Sequence, residues 1–221
     1  MLKVVVLDSG FGGELFADKL CEQLKILEVI RVIDWRNADK YLRKKREARR
    51  AAEEALRPYL GKVDLIIFAN YYLTITSLKY FHRKYKNQKF VGLNLVLPST
   101  FVDRNTVILT TTAVSKTINF RNYVMRLRRS NVITMTLDDW PAKIDDGELD
   151  KSEIEATLIE LIISRNFFPR EIILACSQFN DIIPELRNTF NGSVKIYDGF
   201  SELYHDACKA LRIRGALAKQ K

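Results

Sequence analysis

Cys176 closes the apolar run Ile172-Ile173-Leu174-Ala175 and is followed at once by the polar pair Ser177-Gln178. A continuous β-branched and aliphatic run reads as a strand buried on both faces, and residues just past its carboxyl end lie where α/β folds bind ligands. A thiol there can act as acid, base or nucleophile. Most cysteines are small buried hydrophobes instead, but the polar residues after this one favour a site. A second stretch, Asp8-Ser9-Gly10-Phe11-Gly12-Gly13, closes the first apolar run and opens a helix. Its glycines permit a tight turn, and backbone amides at a helix N-terminus can hold a carboxylate or phosphate. It is not the Gly-x-Gly-x-x-Gly dinucleotide fingerprint, and Asp8 could equally cap the helix.

Short apolar runs alternate with helical stretches along the chain. Strands are expected at 4–7, 29–33, 65–68, 90–93, 107–109, 132–135, 172–175 and 194–197, and helices at 14–25, 39–59, 74–85, 116–129, 152–164, 181–190 and 202–212. Such alternation implies α/β architecture with mainly parallel sheets and right-handed crossovers. The segment from Asp64 to Tyr71 echoes that from Arg170 to Ser177, and Val4 to Ser9 echoes Val107 to Thr111. Two similar halves would face their strand ends across a cleft. The expected organisation is a first lobe of residues 1–97 with 195–221 and a second of residues 98–194. Pro98 and Asp103-Arg104-Asn105 mark the crossing point.

At 221 residues with 47% hydrophobic and 29% charged residues, the chain can bury a full core. It opens directly on a strand pattern, with no signal-peptide features and no stretch of membrane-spanning length, so a cytoplasmic location is expected. The three cysteines, Cys21, Cys176 and Cys208, lack metal-ligand spacing, and neither His82 nor His205 sits in a zinc or triad pattern. No metal site is expected. The formal net charge of +9 makes nucleic acid a partner to weigh. Much of the excess lies in the helix at 39–58, where Arg43, Lys44, Arg46 and Arg49 are the candidate phosphate contacts, with a smaller cluster at Arg126, Arg128 and Arg129. A solvated helix face is the more economical reading, since no nucleic-acid module or interleaved aromatic pattern accompanies the charges.

Together these pieces resemble the aspartate/glutamate racemase superfamily. The stretch from Asp8 to Gly13 resembles the Asp-Ser-Gly-x-Gly-Gly opening of glutamate racemases, and Leu174-Ala175-Cys176-Ser177-Gln178-Phe179 resembles their Leu-Gly-Cys-Thr-His-Tyr motif. Phe90-Val91-Gly92-Leu93, Thr111-Thr112-Ala113, Ile144-Asp145-Asp146-Gly147 and Ile196-Tyr197-Asp198-Gly199 resemble further family motifs in the same order. The resemblance implies two α/β lobes and proton transfer at the α-carbon of an acidic amino acid without a cofactor. Two cysteines would work from opposite faces, and a homodimer would be common. It gives Cys176, Asp8 and Asp145 as catalytic candidates. Ser9, Asn70, Tyr71, Thr111, Ser177 and Gln178 would line a site for a small carboxylate or acidic amino acid.

The chain also departs from the pattern. The first cysteine motif, Ala-Cys-Asn-Thr, falls within Phe68-Ala69-Asn70-Tyr71-Tyr72, where there is no thiol. The phenols of Tyr71 and Tyr72, ordinarily ionising near ~10, are poor bases. Gln178 replaces the histidine after the second cysteine, Asp145 is shorter than the family's glutamate, and the basic helix begins where a Pro-Tyr-Gly substrate loop belongs. Three readings follow. One is a racemase with an altered second base, Tyr71 or Asp8. Another is a one-thiol enzyme like the decarboxylases of the superfamily. The third is a protein that keeps the cleft and binds a carboxylate, a protein partner or nucleic acid without turnover.

Overall fold

The computed structural model describes residues 1–96, 105–127 and 131–213, without the side chains of Leu42 and Arg43. Of the expected crossing point at 97–105, residues 97–104 with Pro98, Asp103 and Arg104 lie outside the described residues, as do Arg128 and Arg129.

The chain runs β1 (Leu2–Asp8), α1 (Phe11–Gln23), β2 (Leu27–Ile33), α2 (Ala38–Arg43), α3 (Lys45–Leu56), β3 (Leu65–Phe68), α4 (Tyr71–Lys84) and β4 (Phe90–Gly92). It continues with β5 (Asn105–Thr110), α5 (Thr112–Ser115), α6 (Ile118–Arg126), β6 (Asn131–Thr136), α7 (Trp140–Asp145) and α8 (Lys151–Arg165). The last elements are β7 (Glu171–Leu174), α9 (Ile183–Thr189), β8 (Lys195–Tyr197) and α10 (Phe200–Leu211). Every expected strand is present. The expected helix at 39–59 is broken at Lys44, whose backbone is extended (φ −128°, ψ 136°). The helix expected at 116–129 is α6, α5 precedes it as a separate short turn, and α7 appears where no helix is expected from the sequence.

Two four-stranded sheets form, ordered β2-β1-β3-β4 and β6-β5-β7-β8, with every strand pair parallel. The order is the same in both, so β1 corresponds to β5 and β3 to β7, the strands that carry the sequence echo. Equivalent hydrogen bonds recur: Ala69 N donates to Leu7 O at 2.9 Å, and Ala175 N to Leu109 O at 2.8 Å. Two compact units result, Met1–Asn94 with Gly199–Lys221, and Leu95–Asp198. The central strands β1, β3, β5 and β7 are buried throughout or nearly so, which explains their unbroken apolar runs.

In the first unit, α3 packs on α4, and Phe68, Phe81 and Phe90 cluster with ring centroids 4.9–5.7 Å apart. The chain returns to this unit through α10, which packs on β3 and β4 and sets Phe200 edge-on to Phe16 of α1 at 5.1 Å. In the second unit, α8 packs on α9, and Trp140 of α7 meets Phe179 edge-on at 6.1 Å. No described helix is long and apolar enough to cross a membrane.

Candidate functional site

In a sheet of this order, successive crossovers depart in opposite directions from the central strand, leaving a crevice at its carboxyl end beside the next-but-one strand. That crevice lies between β1 and β3 in one unit and between β5 and β7 in the other. The sequence candidates fall at those two places.

In the first unit, the chain past β1 supplies Asp8 and Ser9, and the chain past β3 supplies Asn70. Asn70 Nδ2 donates to Asp8 Oδ1 at 3.0 Å and to Ser9 Oγ at 3.1 Å, and Ser9 N donates to the same Asp8 oxygen at 2.7 Å. Asn70 Oδ1 accepts from Leu73 N at 2.8 Å and so caps α4. Asn70, which follows Ala69 past β3 as Cys176 follows Ala175 past β7, is thus committed on both sides of its amide. Asp8 is wholly enclosed (0% exposed), and it does not cap α1, whose N-cap is Gly10 without a side-chain bond. The carboxylate instead orients Asn70 and Ser9.

Tyr71 is buried in the first turn of α4, with its hydroxyl against Gly199. Gly199 adopts φ +73°, and a Cβ there would also come within 3.0 Å of Leu93 Cδ1, so backbone freedom and close approach both select glycine. Burial, with the Glu47 charge adding to it, pushes the Tyr72 phenol above its ordinary range, which makes it a poorer base. Beyond β2, Asp34 Oδ2 accepts from the Tyr41 hydroxyl at 3.1 Å. Burial, then Asp34, holds Tyr41 protonated well above the usual phenol range.

The first unit's cluster depends on a close approach by α1. A Cβ added at Gly13 would overlap the Asp8 Cβ and come within 2.8 Å of Ile33 Cδ1, and the Asp8 Cβ, fixed directly to the buried β1 backbone, cannot withdraw. Gly13→Ala should therefore destabilise the protein by about 1–3 kcal/mol. Urea unfolding would measure this; a midpoint equal to the wild type would show that α1 can move away without loss.

In the second unit, Cys176 and Ser177 follow β7, and a single 3₁₀ turn, Gln178–Asn180, carries Gln178 over them. The Cys176 thiol donates to Gln178 Oε1 at 3.1 Å, and the Ser177 hydroxyl donates to the same oxygen at 3.1 Å. Gln178 Nε2 points the other way, toward Asp145 Oδ2 at 3.4 Å. Two donors on one side and a carboxylate on the other fix which end of the amide faces the thiol. The sequence-predicted residues Cys176, Ser177, Gln178 and Asp145 are therefore one connected group. The Trp140–Phe179 contact places it, because Trp140 begins the helix that ends in Asp145 and Phe179 is the residue after Gln178.

Thr111 follows β5, the neighbouring strand. Its hydroxyl is enclosed (residue 3% exposed) and makes no hydrogen bond among the described residues. Asp138 goes unnoticed in the sequence. It accepts from Thr112 N at 2.7 Å and Thr112 Oγ1 at 2.5 Å, holding the chain that carries Thr111. Its partner lies 26 residues away, so no local pattern announces it.

No cluster of His, Cys, Asp and Glu suited to a metal ion occurs among the described residues. On the basic helix, Lys44 and Arg46 are exposed. Arg49 instead docks α3 on α4: its Nη2 donates to Thr76 O at 3.0 Å, its Nε to Ser77 Oγ at 3.3 Å, and the guanidinium lies 4.4 Å from the Tyr80 ring centroid. The Arg43 side chain lies outside the description.

No family model matches the chain, and no curated protein matches it in sequence. Solved structures do match in fold. Escherichia coli glutamate racemase, in complex with L-glutamate and the activator UDP-MurNAc-ala, is 16% identical with a TM-score of 0.82, over 96% of this chain and 83% of that one. Glutamate racemase from Francisella tularensis, in complex with D-glutamate, is 17% identical with a TM-score of 0.74, over 100% of this chain and 84% of that one. The aspartate racemase of Picrophilus torridus is 18% identical with a TM-score of 0.56, over 95% and 93%.

Proposed function

We propose that this chain, which has the fold of glutamate and aspartate racemases, is a divergent member of their superfamily that works on a small carboxylate or acidic amino acid with one thiol. Cys176 is the proton donor, and Asp145 acts through Gln178 to position it. Thr111 and Ser177, past β5 and β7, are the polar contacts of the ligand beside the thiol, and Ser9 and Tyr71 are the candidate polar contacts of the first unit. The enclosed Thr111 hydroxyl, with no hydrogen bond among the described residues, suits a ligand oxygen.

The observation that carries this reading is the inequality of the two equivalent strand ends. One presents a thiol donating to an amide oxygen, and the other an asparagine whose side chain is occupied by Asp8, Ser9 and the α4 cap. Racemisation by two bases needs a proton-transferring group on each face. A one-thiol reaction needs one. In the decarboxylating form, the carbon–carbon bond to a carboxylate breaks, carbon dioxide leaves, and the electron pair stays on the α-carbon as the enolate of the remaining acid. The Cys176 proton goes to that carbon, and water reprotonates the thiolate. Gln178, unlike histidine, takes up no proton itself, in keeping with a group that orients a donor.

The same occupied asparagine favours a second reading, a carboxylate-binding protein without turnover. Incubating the protein in heavy water with glutamate, aspartate and an α-substituted malonate, followed by NMR and chiral analysis, separates the two. Thiol-dependent α-deuteration with a single stereochemical outcome, or carbon dioxide release from the malonate, supports the one-thiol enzyme. Binding without either supports the second reading. Deuteration with inversion would overturn both by requiring a second base.

A further inference from the structure

We propose that the turn carrying Trp35, with the outward faces of α2 and α3, binds single-stranded nucleic acid, independently of the chemistry at Cys176. Between residues 36 and 50 the chain holds eight cations against two carboxylates. Arg36, Lys45 and Arg46 are exposed, and their side chains make no hydrogen bond or ion pair among the described residues. Lys44 approaches Glu47 only at 4.0 Å, and Arg50 approaches Glu54 at 3.7 Å. Exposed pairs at such distances are weak and leave their cations available to phosphate.

Charge alone would make this a solvated helix face. What changes the reading is an exposed aromatic on a turn that packs on α2, where Lys40 Nζ donates to Asn37 Oδ1 of the same turn. Trp35 is 46% exposed, on a single 3₁₀ turn formed by Trp35–Asn37 at the carboxyl end of β2. The turn is braced from beneath. Asn37 Nδ2 donates to Asp34 Oδ1 at 2.9 Å and the Tyr41 hydroxyl to Asp34 Oδ2 at 3.1 Å, so both neighbouring polar side chains are tied to one carboxylate. An exposed indole on a braced turn against α2, with α3 and its cations packed on α2, is the combination that stacks an unpaired base while tracking its phosphates. An anionic membrane would use the same charges but needs apolar side chains to bury. Among the described residues of this region, Trp35 is the one large exposed hydrophobic side chain.

The chain reports on its own binding, since it has two tryptophans and the other, Trp140, is buried at 2% exposure. Adding a fifteen-nucleotide oligothymidylate should quench the exposed emission saturably. With three phosphates contacted, affinity should fall with salt at a log–log slope of about −2. Trp35→Ala should weaken binding of a fluorescein-labelled strand by about fivefold to a hundredfold. R36E/K45E/R46E, three exposed changes whose fold is checked by circular dichroism, should abolish it. A duplex of equal length should bind less well than the single strand. Four results would each overturn the proposal: no saturable quenching, undiminished binding by either variant, equal affinity for the duplex, or phosphatidylserine vesicles binding where the oligonucleotide does not.

Discussion

Cys176→Ala should reduce α-carbon proton exchange, or decarboxylation, by about 10²–10⁴-fold while leaving ligand affinity within a few-fold of wild type. The thiol is the proton-bearing member of the group it forms with Gln178 and Ser177, and neither an amide nor an ordinary hydroxyl can take over its proton at neutral pH. Removing one sulfur leaves the β7 strand end, the Ser177–Gln178 bond and the Asp145 contact in place, so the loss should fall on the rate. Parallel measurement of deuterium incorporation and ligand binding by calorimetry separates the two quantities. Exchange at the wild-type rate would remove Cys176 from the chemistry and leave Asp8 or a tyrosine to be tested. Equal loss of rate and affinity would instead mark the thiol as part of the binding surface.

Trp140→Ala should produce the largest loss of stability, about 3–5 kcal/mol, because it empties the volume of an almost fully buried indole. A fall of about 10 °C in the melting temperature is expected. The effect should also reach the site. Trp140 packs on Phe179, and Phe179 follows Gln178 on one tight turn, so loosening this contact frees the amide that holds the thiol. Cys176 should then react faster with a disulfide reagent than in the wild type, under conditions where both proteins remain folded. The Cys176→Ala protein supplies the background from Cys21 and Cys208. Lower stability with unchanged thiol reactivity would show that the Gln178 turn holds itself, without help from α7.

The strands were legible because burial on both faces leaves an unbroken apolar signature. Leu65 to Phe68 is bounded in the structure where its pattern ends. The site was legible only where its residues are adjacent in the chain, as in Asp8-Ser9 and Cys176-Ser177-Gln178. Contacts over longer range were not. Gln178 meets Asp145 across 33 residues and Asn70 meets Asp8 across 62, so pairing becomes visible only once the sheet order is known. The break at Lys44 was hidden for another reason. The residues from Asp39 onward favour helix throughout, but two surfaces claim them: Tyr41 turns in toward Asp34, whereas Ala48, Ala51, Ala52 and Leu56 are buried on α3, which packs on α4. A single straight helix would have to serve both, and tertiary packing overrides propensity.

The return of α10 to the first unit has a consequence for synthesis. Residues 95–198 form a compact unit from one uninterrupted stretch of chain, whereas the unit begun by β1 waits for Phe200 to reach Phe16 and for α10 to cover β3 and β4. During translation, the half that starts first is therefore finished last. Apolar surface around Phe16 stays uncovered until α10 leaves the ribosome, and exposed apolar surface of that kind is what chaperones bind during synthesis.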